Sequence, residues 1–165
     1  MDAAMILQLL ARYGALILLV ITFLEALNLP GLPAGVILPA AGAYASSGGI
    51  SFFKAVLFTI IGGILGGLVL YLIGRIGGTP VLDFFRRRNE KLRNVLERCE
   101  RFLKKGGFTA VFIGRILPVV RTILPLPAGA FRVSVKRFVA ASVLGISCYN
   151  LVCVGAGYFL GNVLL

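Results

Sequence analysis

Two long stretches of the chain carry no charged residue. Ala55–Ile73 is 19 residues long, and Phe138–Leu160 is 23 residues long. A helix of about 20 apolar residues crosses the roughly 30 Å hydrocarbon core of a bilayer. The hydrophobic pattern therefore predicts one transmembrane helix in each stretch.

Two further apolar segments are interrupted by proline, and each predicts a broken helical hairpin. The first runs from Ala15–Leu24 into the uncharged Ala26–Phe53, with a turn expected at Leu29–Pro33, and the second is Phe108–Phe131. Six prolines interrupt these segments: Pro30, Pro33, Pro39, Pro118, Pro125 and Pro127. A continuous helix cannot run through them. Irregular backbone is tolerated at membrane depth only where protein or a wet cavity shelters it. We expect both hairpins to be re-entrant.

A basic segment separates the two halves of the chain. Nine of the 17 basic residues lie in Arg86–Lys105, beside three glutamates. Its apolar residues recur at helical spacing: Leu92, Val95, Leu96, Cys99, Phe102 and Leu103. This pattern favours an amphipathic helix in the membrane interface, attracted to anionic headgroups, and places it on the cytoplasmic side. A solvated connector helix is the alternative.

The two halves resemble each other. Leu32–Gly35 recurs as Leu126–Gly129, and the spacing of Gly62 and Gly74 recurs in Gly145 and Gly157. A hairpin returns to its own side and one span crosses, so the halves take opposite orientations, as in transporters with inverted repeats. We predict a single all-α transmembrane domain, 1–165. It holds repeat one at about 14–77, a connector at about 81–105 and repeat two at about 107–161.

Composition narrows the function. The chain is 59% hydrophobic and 14% charged, has a formal net charge of +11 and contains no histidine, and its mean hydropathy is +0.98. A Ser–His or Cys–His nucleophile is therefore impossible, and the cysteine spacing does not suit zinc. Basic residues do not alternate with aromatic ones, which argues against nucleic acid. We expect no enzyme activity, no cofactor and no metal.

Several motifs resemble the DedA family, also called the VTT or SNARE-associated-like domain. The motifs are Phe23-Leu24-Glu25, Gly74-Arg75, the Gly114-Arg115 to Arg121 string and Pro127-Ala128-Gly129. The resemblance covers about Gly14 to Gly161. It implies a multi-pass protein of the bacterial or archaeal inner membrane that translocates lipids, notably undecaprenyl phosphate and phospholipids, often with a dependence on the proton gradient.

The resemblance also implies site residues. Glu25 matches the acid of the first hairpin, and Arg115 and Arg121 match the two arginines of the second. Pro118, Gly129 and Pro33, at the hairpin breaks, complete the predicted substrate-binding set. Two positions depart from the family pattern, because glycine replaces an acid at Gly35 and at Gly67 of the Gly66-Gly67 pair.

The roles of these residues have alternatives. Two guanidinium groups in a low-dielectric pocket suit a phosphate, although one of them could instead pair structurally with Glu25. Glu25 is either that counter-ion or a proton carrier. Overlapping G-x-x-x-G pairs at Gly62–Gly67 predict close helix packing, against a hairpin or across a possible homodimer.

We therefore expect a transporter that moves an anionic lipid or lipid phosphate through a midplane site between the hairpins. The alternative is a membrane scaffold or assembly factor without transport activity.

Overall fold

The computed structural model describes residues 8–9, 11–27, 34–88, 90–118 and 120–164. These residues form eight α-helices: α1 (Leu16–Ala26), α2 (Ala34–Ser46), α3 (Phe52–Arg88), α4 (Glu90–Lys105), α5 (Gly107–Ile116), α6 (Val120–Ile123), α7 (Pro125–Ala130) and α8 (Val135–Leu164).

Helices α3 and α8 contain the two charge-free stretches. Each includes a segment long and apolar enough to cross a membrane, Phe52–Phe84 and Val135–Val163. Large apolar side chains remain exposed along both, with exposed fractions of 81% for Phe53 and 73% for Phe159. Such exposure is expected where lipid replaces water as the solvent. The chain thus has the all-α architecture of a membrane protein, as predicted.

Helix α3 has a kink near its C-terminal end. Gly78 lies at φ 60° and ψ −149°, and Pro80 follows two residues later. Glycine adopts this positive φ without a steric penalty, and proline is suited to the first turn of a new helix. The long straight part of α3 therefore ends just after the predicted span.

The predicted hairpin segments consist of short helices. Helix α1 has 11 residues and α5 has 10, so each is about 15 to 17 Å long. This is roughly half of the hydrocarbon core of a bilayer. The breaks around Pro118 and Pro125 are confirmed. The turn predicted at Leu29–Pro33 lies outside the described residues, and the re-entrant path through the membrane stays a prediction.

The chain divides into two compact units. One comprises Met1–Gly66 and Ser147–Leu165, and the other comprises Gly67–Ile146. The core of the first unit contains Leu18, Ile37, Leu38, Ala41, Ala55 and Val154. The core of the second contains Tyr71, Val111, Leu124, Phe138 and Ala141. The division passes through α3 and α8, so that each long helix contributes to both units.

Glycines bring helices together in the first unit. A methyl group at Gly62 would overlap the Leu19 carbonyl oxygen and Thr22 of α1. Gly42 of α2 lies in the same way against the backbone of Val154 and Tyr158 in α8. The predicted close packing of α3 against a hairpin helix is thus confirmed.

The second unit repeats both contacts with other residues. Gly145 lies against the Phe112 carbonyl oxygen and the Arg115 side chain, and Gly129 lies against the backbone of Tyr71 and Arg75. Tyr71 and Arg75 each precede their counterparts in α8 by 83 residues. This is also the spacing that the sequence comparison found between the glycines of the two spans.

The contacts correct one part of the repeat alignment. The sequence comparison paired Gly129 with Gly35, but Gly35 is exposed, and a methyl group there would have no neighbour within 4 Å. The residue that makes the corresponding contact is Gly42. Four identical letters outweighed the packing role in the sequence comparison.

Helix α4 packs its apolar face on protein. Leu96, Cys99 and Leu103 are buried and belong to cores shared with α3, α5, α6, α7 and α8, whereas Phe102 remains 53% exposed. The amphipathic pattern was expected to face the membrane interface, and most of it faces the second hairpin instead. Burial also raises the pKa of the Cys99 thiol to about 11, because a thiolate is poorly solvated there.

Candidate functional site

The site is centred on the break in the second hairpin. Helix α5 ends at Ile116, and Leu117 takes an extended conformation with φ −78° and ψ 123°. Pro118 follows, and its ring disfavours a helical conformation in the preceding residue. Helix α6 then begins at Val120. The sequence therefore places one arginine on each side of a backbone break.

Arg115 is anchored by two hydrogen bonds. Its side chain is only 2% exposed. Its Nε donates to the Ser142 hydroxyl oxygen of α8 at 3.1 Å, and its Nη1 donates to the Arg121 carbonyl oxygen at 2.8 Å. Both acceptors are neutral, so they orient the guanidinium without cancelling its charge.

Aromatic and glycine residues form the walls around Arg115. The Arg115 Cζ lies 5.3 Å from the centre of the Phe138 ring, within the range of a cation–π interaction. Gly145 faces the Arg115 Cβ, and a methyl group at Gly67 of α3 would overlap the Arg115 Nη2. The guanidinium fits beside α3 only because position 67 has no side chain.

Arg121 is the second buried cation. It is 6% exposed and lies on the four-residue helix α6. Its backbone N–H donates to the Leu117 carbonyl oxygen at 3.0 Å, while its own carbonyl accepts from Arg115. The two arginines were expected to converge only if the segment is broken between them. The break is present, and the Arg115 side chain reaches the Arg121 backbone across it.

The other predicted site residues have different positions. Pro118 is exposed at the break, and Gly129 is buried against the α3 backbone, which gives it a packing function. Glu25 is 7% exposed, near the end of α1 in the first unit. Pro33 lies outside the described residues. Substrate contact by these four residues stays a prediction.

Four contacts of Arg115 were not predicted from the sequence. Ser142 and Phe138 are ordinary members of an apolar helix, and no local signal distinguishes them. Gly67 carried a signal, since it stands where an acid was expected. Gly145 was noted only as a repeat glycine. Within the described ranges, no group of three or more His, Cys, Asp or Glu side chains could hold a metal ion.

Comparison with known proteins identifies relatives along most of the chain. The VTT domain family matches residues 32–159. The membrane protein YkoX of Bacillus subtilis is 35% identical over 137 residues, which is 83% of this chain and 62% of YkoX. Undecaprenyl phosphate transporter A of the same organism is 31% identical over 90% of this chain and 80% of its own length.

Protein DedA of Escherichia coli K12 is 33% identical over 94% of this chain and 74% of its own length. The chain therefore spans between about three fifths and four fifths of the length of these relatives. No solved structure matches it. The matched residues include the hairpin with both buried arginines and the two long apolar helices, and the chain belongs to the DedA family of VTT-domain membrane proteins.

Proposed function

We propose that this protein moves a lipid phosphate, either undecaprenyl phosphate or a phospholipid, across the bacterial plasma membrane. The observation that carries the proposal is the buried Arg115, held in a fixed orientation by neutral partners. The name of the relative undecaprenyl phosphate transporter A supports the same class of substrate.

The chemistry of the site suits a phosphate. A guanidinium presents a planar set of N–H donors that matches the oxygens of a phosphate, and it stays charged when buried. Ser142 and the Arg121 carbonyl fix the plane of the Arg115 guanidinium, which reduces the entropy lost on binding. Arg121 is the second proposed ligand, placed on the other side of the break.

Glu25 is the proposed acidic partner of this chemistry. It is the one acid in the apolar part of the sequence, since Gly35 and Gly67 replace the acids expected at their positions. An acid at low dielectric either balances buried positive charge or carries a proton. We favour charge balance for Glu25, because nearby positive charge keeps a carboxylate ionised.

The proposed path depends on the short hairpin helices. Arms of about 15 Å reach only part of the way through a bilayer, which supports re-entrant hairpins. The repeated glycine contacts support two repeats, and the odd number of crossings in each repeat supports an inverted topology. The basic segment Arg86–Lys105 is then cytoplasmic by the positive-inside rule.

Reconstitution into lipid vesicles tests the function. Vesicles carry fluorescent undecaprenyl phosphate, phosphatidylglycerol or phosphatidylcholine, and movement between leaflets is measured with a membrane-impermeant quencher. We expect faster movement of at least one phosphate lipid, abolished in Arg115→Ala and retained in Arg93→Ala, which removes an exposed arginine of α4. Movement of none of these lipids by the folded wild-type protein would contradict transport and favour the scaffold alternative.

A further inference from the structure

A second apolar site lies between α4, α5 and α6. It is a cavity of about 260 Å³, and its lining includes Cys99, Ala110, Gly114 and Leu124. These four residues are buried and carry no charge. The floor of the cavity is therefore hydrocarbon-like, and an apolar cavity of this kind does not hold ordered water well.

The rim of the cavity combines apolar side chains with one cation. Phe102, Ile113 and Leu117 line it and are 53%, 42% and 44% exposed. Arg98 also lines it and is exposed. Arg98 and Phe102 are four residues apart on α4, so they lie on the same face of the helix. In a membrane protein, such an apolar rim meets lipid chains.

The charge of Arg98 differs from that of its basic neighbours. Arg93 pairs with Glu97 at 3.3 Å, and Lys104 pairs with Glu100 at 3.1 Å. Among the residues that the structure describes, Arg98 makes no ion pair. The cation at the rim is thus the one whose charge these glutamates do not neutralise.

This cavity is separate from the Arg115 site. The Arg115 side chain contacts Ser142 and Phe138 of α8. Ala110 and Gly114, at the cavity, lie on another face of α5, since successive residues turn by about 100° around a helix. A ligand in the cavity would therefore not be the phosphate bound by Arg115.

We propose that this cavity binds one acyl chain of an anionic phospholipid whose phosphate pairs with Arg98. The apolar floor takes the chain, the exposed apolar rim admits it from the bilayer, and the cation selects the headgroup. A free phosphate ion would leave the apolar cavity empty, so the ligand is a lipid. The bound lipid would hold α4 on the membrane surface and against the second hairpin.

The sequence offers a direct reporter, because it contains no tryptophan. In Phe102→Trp the single indole lies at the rim. The protein is placed in phosphatidylcholine vesicles with a minor fraction of phosphatidylglycerol or phosphatidylcholine that carries bromine on its acyl chain. Brominated phosphatidylglycerol should quench with an apparent affinity about fivefold higher, the factor expected for one basic side chain near an anionic headgroup.

Two substitutions of equal charge separate the site from general surface charge. Arg98→Gln, in the Phe102→Trp background, should abolish the preference for phosphatidylglycerol. Arg93→Gln removes a charge from the same exposed helix and should keep the preference. Phe159→Trp reports on lipid contact elsewhere and should show no headgroup preference.

Three results would overturn the proposal. They are equal quenching by the two brominated lipids, an equal loss in Arg98→Gln and Arg93→Gln, and loss of quenching on addition of inorganic phosphate. The assay measures binding without transport, so it stands whether or not the Arg115 site moves lipids. Both glutamine substitutions are at exposed positions, and a melting temperature near that of wild type would confirm that they fold.

Discussion

Arg115→Lys is the most direct test of the proposed phosphate site, because it keeps the charge and removes the geometry. The wild-type side chain donates from Nε to Ser142 and from Nη1 to the Arg121 carbonyl while its face lies over Phe138. A lysine carries one terminal nitrogen and no planar face. It cannot reach both acceptors and also leave donors for a phosphate.

The structure sets the size of the expected loss. One buried hydrogen bond from a charged donor contributes about 1.5 to 3 kcal/mol, and the cation–π contact contributes about 0.5 to 2 kcal/mol. We therefore expect Arg115→Lys to lower the free energy of unfolding by about 2 kcal/mol. Loss of one charged hydrogen bond to the phosphate should reduce lipid flux about tenfold or more.

The assay pairs lipid flux in vesicles with chemical unfolding of the purified protein. Ser142→Ala is the matched control, since it removes the acceptor of Nε and leaves the guanidinium in place. It should lose about the same stability as the lysine variant but less flux, because both prongs for the phosphate remain. Wild-type flux and stability in Arg115→Lys would refute the geometric argument and leave only a point charge at this position.

Three further predictions follow from the described contacts. Gly67→Ala should reduce flux severalfold, because its methyl group would displace the guanidinium, and wild-type flux would contradict this packing. Glu25→Gln should lower the melting temperature and keep the response of flux to a pH gradient if Glu25 balances buried charge; a stable variant without that response would instead indicate a proton carrier. In cells expressing a variant without the two cysteines of α8, an impermeant maleimide should label Asn162→Cys and not Glu90→Cys, and labelling of the latter would reverse the topology. Cys99 should not react in that experiment, since a pKa of about 11 leaves about one thiol in a thousand ionised at pH 8.

The sequence predicts the elements of this fold better than their contacts. Charge-free length indicated α3 and α8, and proline indicated the break at Pro118, because both signals are local. The apolar face of α4 was misinterpreted for a physical reason. Lipid and protein interior are both apolar, so an amphipathic pattern cannot tell whether a face such as that of Leu96 and Cys99 meets one or the other.

The candidate site was predictable only in its charges. A buried arginine is unusual enough to be noticed in an apolar sequence, so Arg115 and Arg121 were identified at once. Ser142 and Phe138 become significant only when α8 is packed beside α5. That packing depends on Gly145, whose identity the sequence shows but whose partner it does not.

The absence of an acid at position 67 gives the site its character. Gly67 lies next to the Arg115 Nη2, so an aspartate there would place a carboxylate beside the guanidinium. That ion pair would hold Arg115, but it would also compete with a phosphate for the same donors. In this chain a hydroxyl, a carbonyl and an aromatic ring orient the guanidinium instead. Neutral partners stabilise the buried cation less than a carboxylate would, and they leave more of its charge for an anionic lipid.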